Sequence, residues 1–356
     1  MLYIRADGSA KTGAGHLMRG LTIADAAGGP EGVCFVCADE ASAELAQKRG
    51  YVAWVLSGPA FSVREAEDIC TLAGQGQVEQ PVFLVDSYLA SSEYLQQLAR
   101  VGKVAYLDDL MERAYGGADW IINYNIYADH QRYGELYSKS VKQPEFLLGA
   151  NYIPLRPQFY RGRTGPSLTP QVAGAVGVMP GILITTGGGD ERNIAGRILE
   201  TMTAGDGTAE LEYHVVCGAF NPHRESLETF AAKRANIHLH YHVQDMAALM
   251  GECACAVTAG GTTVYELCAV GIPFVCFSYA DNQEQLVQYI GRNEMGICAG
   301  DYRREEGMVL EEIRKGVLQL LENKETAKRY IQNAGNRVDG MGAGRIAECI
   351  LGKVKK

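Results

Sequence analysis

Between Thr258 and Gln283 the chain reads TAGGTTVYELCAVGIPFVCFSYADNQ, and it places two kinds of chemistry side by side. Gly260 and Gly261 stand immediately before Thr262 and Thr263, where a helical pattern begins. A helix start behind glycines offers unpaired backbone N–H groups and the positive end of a dipole, which suits a phosphate. Glu266 follows Thr262 by four residues, one turn on and on the same side of that helix. A carboxylate there can accept from a diol such as the 2′ and 3′ hydroxyls of a ribose. Phosphate donors beside a ribose acceptor point to a nucleotide, and with the loops described next to a nucleotide-sugar. The competing reading is an ordinary strand–turn–helix unit.

Two further glycine loops carry candidate chemistry. GSAKTGAGH (8–16) joins a first strand to a first helix and brings Gly8, Gly13, Gly15 and His16 to a strand end. Ligands of parallel α/β sheets bind outside the C-terminal ends of the strands. The positive helix end disfavours imidazolium, so His16 reads as a neutral imidazole able to take a proton from water, with Asp7 to orient it. A histidine that merely caps the helix is the competing reading. Arg19, one turn on, is counted with the ligand-binding set. GGGDERN (187–193) supplies free amides at Gly187, Gly188 and Gly189, a helix cap at Asp190 and a sugar-binding amide at Asn193. Neither loop is a dinucleotide fingerprint, because G-x-G-x-x-G is absent.

Other strand ends add polar groups. PVFLVDSY ends in Asp86, Ser87 and Tyr88, and Tyr88 suits a sugar ring or a substrate oxygen. Asp108 and Asp109 end the next apolar run as structural candidates, while Asn123 and Asn125 end another and face the expected ligand cleft. Asn282 and Gln283 follow PFVCFSY and can reach the sugar or phosphates. His238, His240 and His242 alternate along one strand, without an alternating carboxylate to favour a metal. The chain has no D-x-D motif to bridge a diphosphate through a metal, so no metal and no cofactor are assigned. The ten cysteines sit largely in apolar strands, and Cys34 and Cys37, three apart, point to opposite faces.

These groups must be held by a layered α/β scaffold. Strand-like runs at 2–7, 33–38, 51–56, 81–88, 103–109 and 118–125 alternate with helical patterns at 15–27 and between 42 and 50. The proline- and glycine-rich segment 153–180 reads as a linker. A second series follows, with 181–190 a strand into a glycine turn, strands at 211–218, 236–243, 255–261 and 273–279, and helices at 245–253, 308–322, 325–334 and 343–352. The expected domains are therefore 1–152 (catalytic base, sugar side), the linker 153–180, 181–340 (UDP side) and a C-terminal helix in 341–356. Two doubly wound Rossmann-like halves facing a cleft is the outline of the GT-B type. At 356 residues, 47% hydrophobic and 21% charged, the chain is globular. A formal net charge of −9 argues against nucleic acid as a partner. No apolar run reaches membrane-spanning length, and the first residues enter a strand without a basic and apolar leader, which points to the cytoplasm.

Read in order, RADGSAKTGAGHLMRGLTIA, VDSY, DD, NYN, FLLGANYIPLRPQF, TTGGGDERN, TAGGTTVYELCAVGIP and NQ form a set. The set resembles the UDP-2,4-diacetamido-2,4,6-trideoxy-β-L-altropyranose hydrolases of pseudaminic acid biosynthesis, and proteins labelled as spore coat polysaccharide biosynthesis. Its GGTT…E…NQ part is shared with the MurG-type N-acetylglucosaminyltransferases. The resemblance implies metal-independent attack of water at the anomeric carbon, C1–O cleavage with inversion, and release of UDP. It implies that His16 is the general base, that Tyr88 stands beside it, and that Asn193, Glu266 and Asn282 touch the substrate. Ser87 stands where a histidine is common in that family, and Gly189 where threonine is frequent, departures that bear on the sugar. A UDP-sugar-dependent glycosyltransferase of the GT-B type and a non-catalytic nucleotide-sugar-binding protein are the alternatives.

Overall fold

The computed structural model describes residues 1–6, 15–75, 80–160, 181–218 and 221–352. Asp7, Gly8 and Gly13 lie outside the described residues. The chain divides into two units, one of residues 1–156 with 341–356 and one of residues 157–340.

In the first unit the elements run β1 (Leu2–Ala6), α1 (Gly15–Ala26), β2 (Val33–Cys37), α2 (Glu40–Gln47), β3 (Val52–Val55), α3 (Val63–Gln75), β4 (Val82–Asp86), α4 (Ser92–Leu98), β5 (Lys103–Leu107), β6 (Trp120–Asn123), α5 (His130–Tyr137) and β7 (Glu145–Leu148). All pairings are parallel, in the order β3-β2-β1-β4-β5-β6-β7. β1, β2 and β4 are buried along their whole length, as central parallel strands covered on both faces must be. Phe83, Val85, Val104, Tyr106 and Ile121 build the core beneath Ile69, Tyr94 and Leu95 of the covering helices. Fully burying an aliphatic or aromatic side chain of this kind contributes about 1.5–3 kcal/mol. Helix α1 lies close on the sheet because Gly20 has no side chain: an added Cβ would sit 3.0 Å from Ile4 Cγ2. Leu17, Leu21 and Ala24 form its buried face.

The second unit contains β8 (Gly181–Thr185), α6 (Ile194–Ala204), β9 (Glu212–Cys217), α7 (Arg224–Ala231), β10 (Ile237–Tyr241), α8 (Met246–Gly251), β11 (Cys253–Ala259), α9 (Thr262–Val270), β12 (Phe274–Ser278), α10 (Asp281–Arg292), β13 (Ile297–Asp301), α11 (Glu306–Glu322) and α12 (Lys324–Gly335). Its parallel sheet runs β10-β9-β8-β11-β12-β13. Ile182, Ile184, Val257, Val275 and Phe277 pack against Ile198 and Leu199 of α6 and Ile313 and Val317 of α11.

Several expectations need correction. Short edge strands β7 and β13 were not expected. The segment expected to be a linker starts with structure: 3-10 turns occupy Ala150–Tyr152 and Pro157–Phe159, and Phe159 is buried. The last helix, α13 (Gly342–Leu351), packs along α1, so it completes the first unit. His242 leaves the strand with φ of 49°. His238 also has a carboxylate after all, since Glu212 of the neighbouring strand lies 2.7 Å from its Nε2. Among the described residues no His, Cys, Asp and Glu group is placed to hold a metal ion, and no helix is long and apolar enough to cross a membrane. Cys34 and Cys37 are buried, and burial pushes their thiols up to about 12 and about 11.

Candidate active site

In a doubly wound sheet the strand order reverses at one point, and loops leaving the two strands there diverge to open a ligand site. In the first unit that point is the β1/β4 pair, and in the second it is β8/β11. The candidate residues gather at these two points.

In the first unit β1 and β4 end level, Ala6 opposite Asp86. The chain leaving β1 therefore starts α1 beside the last residue of β4. His16, 7% exposed, turns its Nδ1 onto Asp86 Oδ1 at 2.6 Å. Asp86 is itself only 1% exposed. Arg19, one turn along α1, donates to both Asp86 oxygens, from Nε at 2.9 Å and Nη2 at 2.7 Å. It reaches Asp109 Oδ2 at 3.3 Å and the Tyr124 hydroxyl through Nη1. Burial alone would push the Asp86 carboxyl up; the Arg19 charge and the His16 contact outweigh it and hold it below the usual carboxylate range.

Donor–acceptor matching at Nδ1 assigns the imidazole tautomer. The carboxylate can only accept, so Nδ1 carries the hydrogen it gives to Asp86. Arg19 Nη2 also lies 2.7 Å from Nδ1, but two donors cannot share a hydrogen bond, and Nη2 donates to Asp86 Oδ1 instead. In the neutral ring Nε2 then bears the lone pair, the form a base requires. Tyr88 stands edge-on to that ring, centroids 5.0 Å apart, and its hydroxyl donates to Asp109 Oδ2 at 3.1 Å. Burial, with the Asp109 charge, raises the Tyr88 pKa, so the phenol stays a donor.

Asp86 stands in an orienting position on His16; Asp7, to which sequence reasoning gave that role, lies outside the described residues. Arg19, counted above with the ligand-binding set, directs its N–H groups to carboxylates and a phenol inside the unit. Asn123 is fully buried, with Nδ2 donating to the Tyr133 hydroxyl, and Asp108 accepts from Tyr133 and the Leu110 and Met111 amides. Asn123 thus faces no ligand cleft, because its amide is used up inside the unit.

In the second unit the loop after β8 holds three residues with positive φ, Gly187, Asp190 and Asn193. Gly187 has φ of 95°, and Gly187 and Gly188 are exposed. Gly218 at the end of β9 packs directly on their backbone, where an added Cβ would lie 2.3 Å from Gly188 O. Asp190 and Asn193 both take left-handed backbone conformations that are strained for non-glycine residues. Asp190 accepts from the Ile194 and Ala195 amides at 2.7 and 3.0 Å and is buried. It caps the start of α6, as its position after the glycines suggests. Asn193 makes no cap bond, and its Oδ1 is buried without a hydrogen-bond partner among the described residues. An unpaired buried acceptor on a strained residue makes Asn193 a candidate ligand contact.

The loop after β11 starts α9 at Thr262, with Gly261 as an N-cap that lends no side chain and no acidic residue in the first turn. Gly260 is pressed against α10, an added Cβ lying 2.5 Å from Val287 Cγ2. Thr262 is exposed and Glu266 half-buried one turn further on. Asn282 is exposed in the first turn of α10, whereas Gln283 turns back to accept from the Tyr279 amide at 2.9 Å. The Tyr279 hydroxyl donates to the Thr186 carbonyl, tying the loops after β12 and β8 together. A bare helix end, exposed glycine amides, an orphan amide oxygen and a carboxylate are thus collected at one switch point.

Residues 182–339 match the family model for the glycosyltransferase family 28 C-terminal domain. Among curated relatives, the spore coat polysaccharide biosynthesis protein SpsG of Bacillus subtilis is 25% identical over 153 residues, which cover 42% of this chain and 43% of that protein. The chain thus spans less than half the length of that relative. Among solved structures, MurG of Acinetobacter baumannii superposes with a TM-score of 0.64 at 13% identity, over 99% of each chain. The UDP-GlcNAc 2-epimerase of Neisseria meningitidis, bound to UDP-GlcNAc, gives 0.63 at 14% identity, over 99% of this chain and 100% of that one. Both units are Rossmann-like parallel α/β domains, and the fold is the one seen in GT-B structures such as MurG.

Proposed function

We propose that this protein binds a UDP-sugar and hydrolyses it at the anomeric carbon, releasing UDP and the free sugar. The observation that carries the reading is the His16–Asp86 pair at the β1/β4 switch point, an imidazole held with Nε2 as its acceptor. Water loses a proton to Nε2 while its oxygen bonds to C1. The C1–O bond breaks on the opposite face, and its electron pair leaves with UDP, so the anomeric centre inverts. A positioned base of this kind supplies about 10²–10⁴-fold in rate. Within the second unit, the uncapped end of α9 suits a diphosphate and Glu266 a ribose diol. Asn193 Oδ1 accepts from an amide N–H or hydroxyl of the sugar.

The motif resemblance favours a UDP-diacetamido-trideoxyhexose and a place in nonulosonic acid or related surface polysaccharide biosynthesis. The relative named for spore coat polysaccharide biosynthesis is in keeping with that setting. A glycosyltransferase is the second reading, favoured by the family 28 match over residues 182–339. Exposed Leu89 and Leu110 beside Tyr88 and Asp109 would then meet an acceptor.

One experiment separates the two. A panel of UDP-diamino sugars is incubated with the protein, with and without acceptors and chelator, and the anomeric signals are followed by NMR. Free sugar without acceptor supports the hydrolase, and turnover only with acceptor rejects it. His16→Ala is expected to abolish UDP release and leave UDP binding largely intact; near wild-type turnover removes the base assignment.

A further inference from the structure

Five side chains of the first unit form a closed circuit. His16 meets Asp86 at 2.6 Å, Asp86 is clasped by Arg19, Arg19 reaches Asp109 at 3.3 Å, and Asp109 accepts from Tyr88 at 3.1 Å. Tyr88 then closes the circuit by standing edge-on to the His16 ring. The members come from α1 and from the ends of β4 and β5, three elements far apart in sequence. Arg19 is the only cation in the circuit and touches both carboxylates.

We infer that Arg19 is a positioning residue that fixes both groups assigned to the substrate in this unit, His16 through Asp86 and Tyr88 through Asp109. The inference rests on the functional reading above and deepens it. A guanidinium presents its donors in a rigid plane, so seizing both Asp86 oxygens from Nε and Nη2 leaves Nη1 aimed at Asp109 and Tyr124. An ammonium has one nitrogen and cannot clasp one carboxylate bidentately while holding a second. Tyr124, whose phenol is pushed up to about 12 chiefly by burial, closes off the remaining Nη1 direction as a neutral acceptor for Arg19. Placement matters at this level, since a shift of about 1 Å in a catalytic group can cost about 10²-fold in rate.

The test uses the full-length protein with Arg19→Lys, and Asp109→Asn in case the lysine variant does not fold. Imidazole nitrogen shifts of His16, recorded without substrate, read the tautomer directly. Wild type is expected to show the Nδ1–H form alone. Arg19→Lys is expected to show mixed tautomers and a kcat for UDP release lower by about 10²-fold, with UDP affinity unchanged within experimental scatter. Asp109→Asn is expected to keep the His16 tautomer, free the Tyr88 ring on its NMR line shape, and raise KM for the sugar nucleotide more than it lowers kcat. A folded Arg19→Lys protein with the wild-type tautomer and turnover overturns the inference, as does an unchanged Tyr88 line shape in Asp109→Asn. The nitrogen spectra decide the positioning role even if no UDP-sugar is turned over, so failure of the functional reading registers separately.

Discussion

Asp86→Asn is the sharpest perturbation of the site, because it keeps size and removes one acceptor. In the native site both carboxylate oxygens accept: Oδ1 from His16 at 2.6 Å and Arg19 Nη2 at 2.7 Å, Oδ2 from Arg19 Nε at 2.9 Å. An amide offers one acceptor and two donors. Arg19 donates at both positions, so either amide orientation sets the N–H₂ against one Arg19 N–H; with the oxygen on Nε, the N–H₂ faces His16. The imidazole then has to present Nδ1 as acceptor and carry its hydrogen on Nε2, where the base lone pair was. In hydrolases that use a histidine–aspartate pair this wrong tautomer costs about 10⁴ in kcat. Without a working base the expected loss is about 10²–10⁴-fold, or about 3–5 kcal/mol of transition-state stabilisation. The assay is initial UDP release at saturating UDP-sugar, with UDP affinity and thermal unfolding measured on the same preparation. Turnover within a few-fold of wild type in a folded variant refutes the tautomer argument. Asp86→Ala is the wrong control, because it leaves a buried guanidinium without its main counter-charge, a loss of about 3–5 kcal/mol in stability.

Three other outcomes are expected. Gly218→Ala forces a methyl to within 2.3 Å of the Gly188 carbonyl, so the exposed glycine loop must move; UDP affinity should fall about tenfold or more with about 1–3 kcal/mol of lost stability, and calorimetry showing native affinity contradicts this. Glu266→Ala should weaken UDP binding more than it alters preference among UDP-sugars, and equal affinity for UDP removes the ribose role. His214 and His240, whose rings stack 5.2 Å apart, have pKa values lowered first by burial and then by neighbouring imidazoles. The unfolded chain therefore binds more protons than the folded one just below the ordinary histidine range, and stability must rise with pH there. Urea midpoints should drop as pH falls from 6.5 toward 5, and His214→Gln with His240→Gln should flatten that slope; a slope identical in the double variant would rule the pair out as its source.

Local pattern revealed most of the scaffold and little of the pairing inside the site. Continuous apolar runs such as VFLVD and CACAVTA declared themselves as buried strands because both faces of a parallel sheet are covered. Strand β7, only EFLL at the sheet margin, and β13, ICAGD with a glycine at φ of 110°, lack that signature. The glycine loops were legible because tight backbone leaves a compositional mark. His16 was found the same way, but its partner was assigned to Asp7, near it in the chain. Asp86 lies 70 positions away and reaches His16 because β4 is laid beside β1, a fact of strand order that no local spacing encodes. Arg19 stood in the motif, yet only the placement of Asp86 and Asp109 shows which side chains it binds. Asp190 had the right type for its cap, and the structure places it there, buried.

The return of α13 to α1 has a consequence for biosynthesis. Ile346 and Ile350 are almost fully enclosed, and they are made after every residue of the intervening unit. While the ribosome is still translating residues 157–340, the N-terminal portion waits with an apolar flank uncovered. The C-terminal portion, being one uninterrupted segment, has all its residues before the other does. Maturation of the histidine-bearing half is thereby tied to synthesis of the segment after residue 340, and a stop between residue 340 and Ile346 would strand that half unfinished while leaving its neighbour whole.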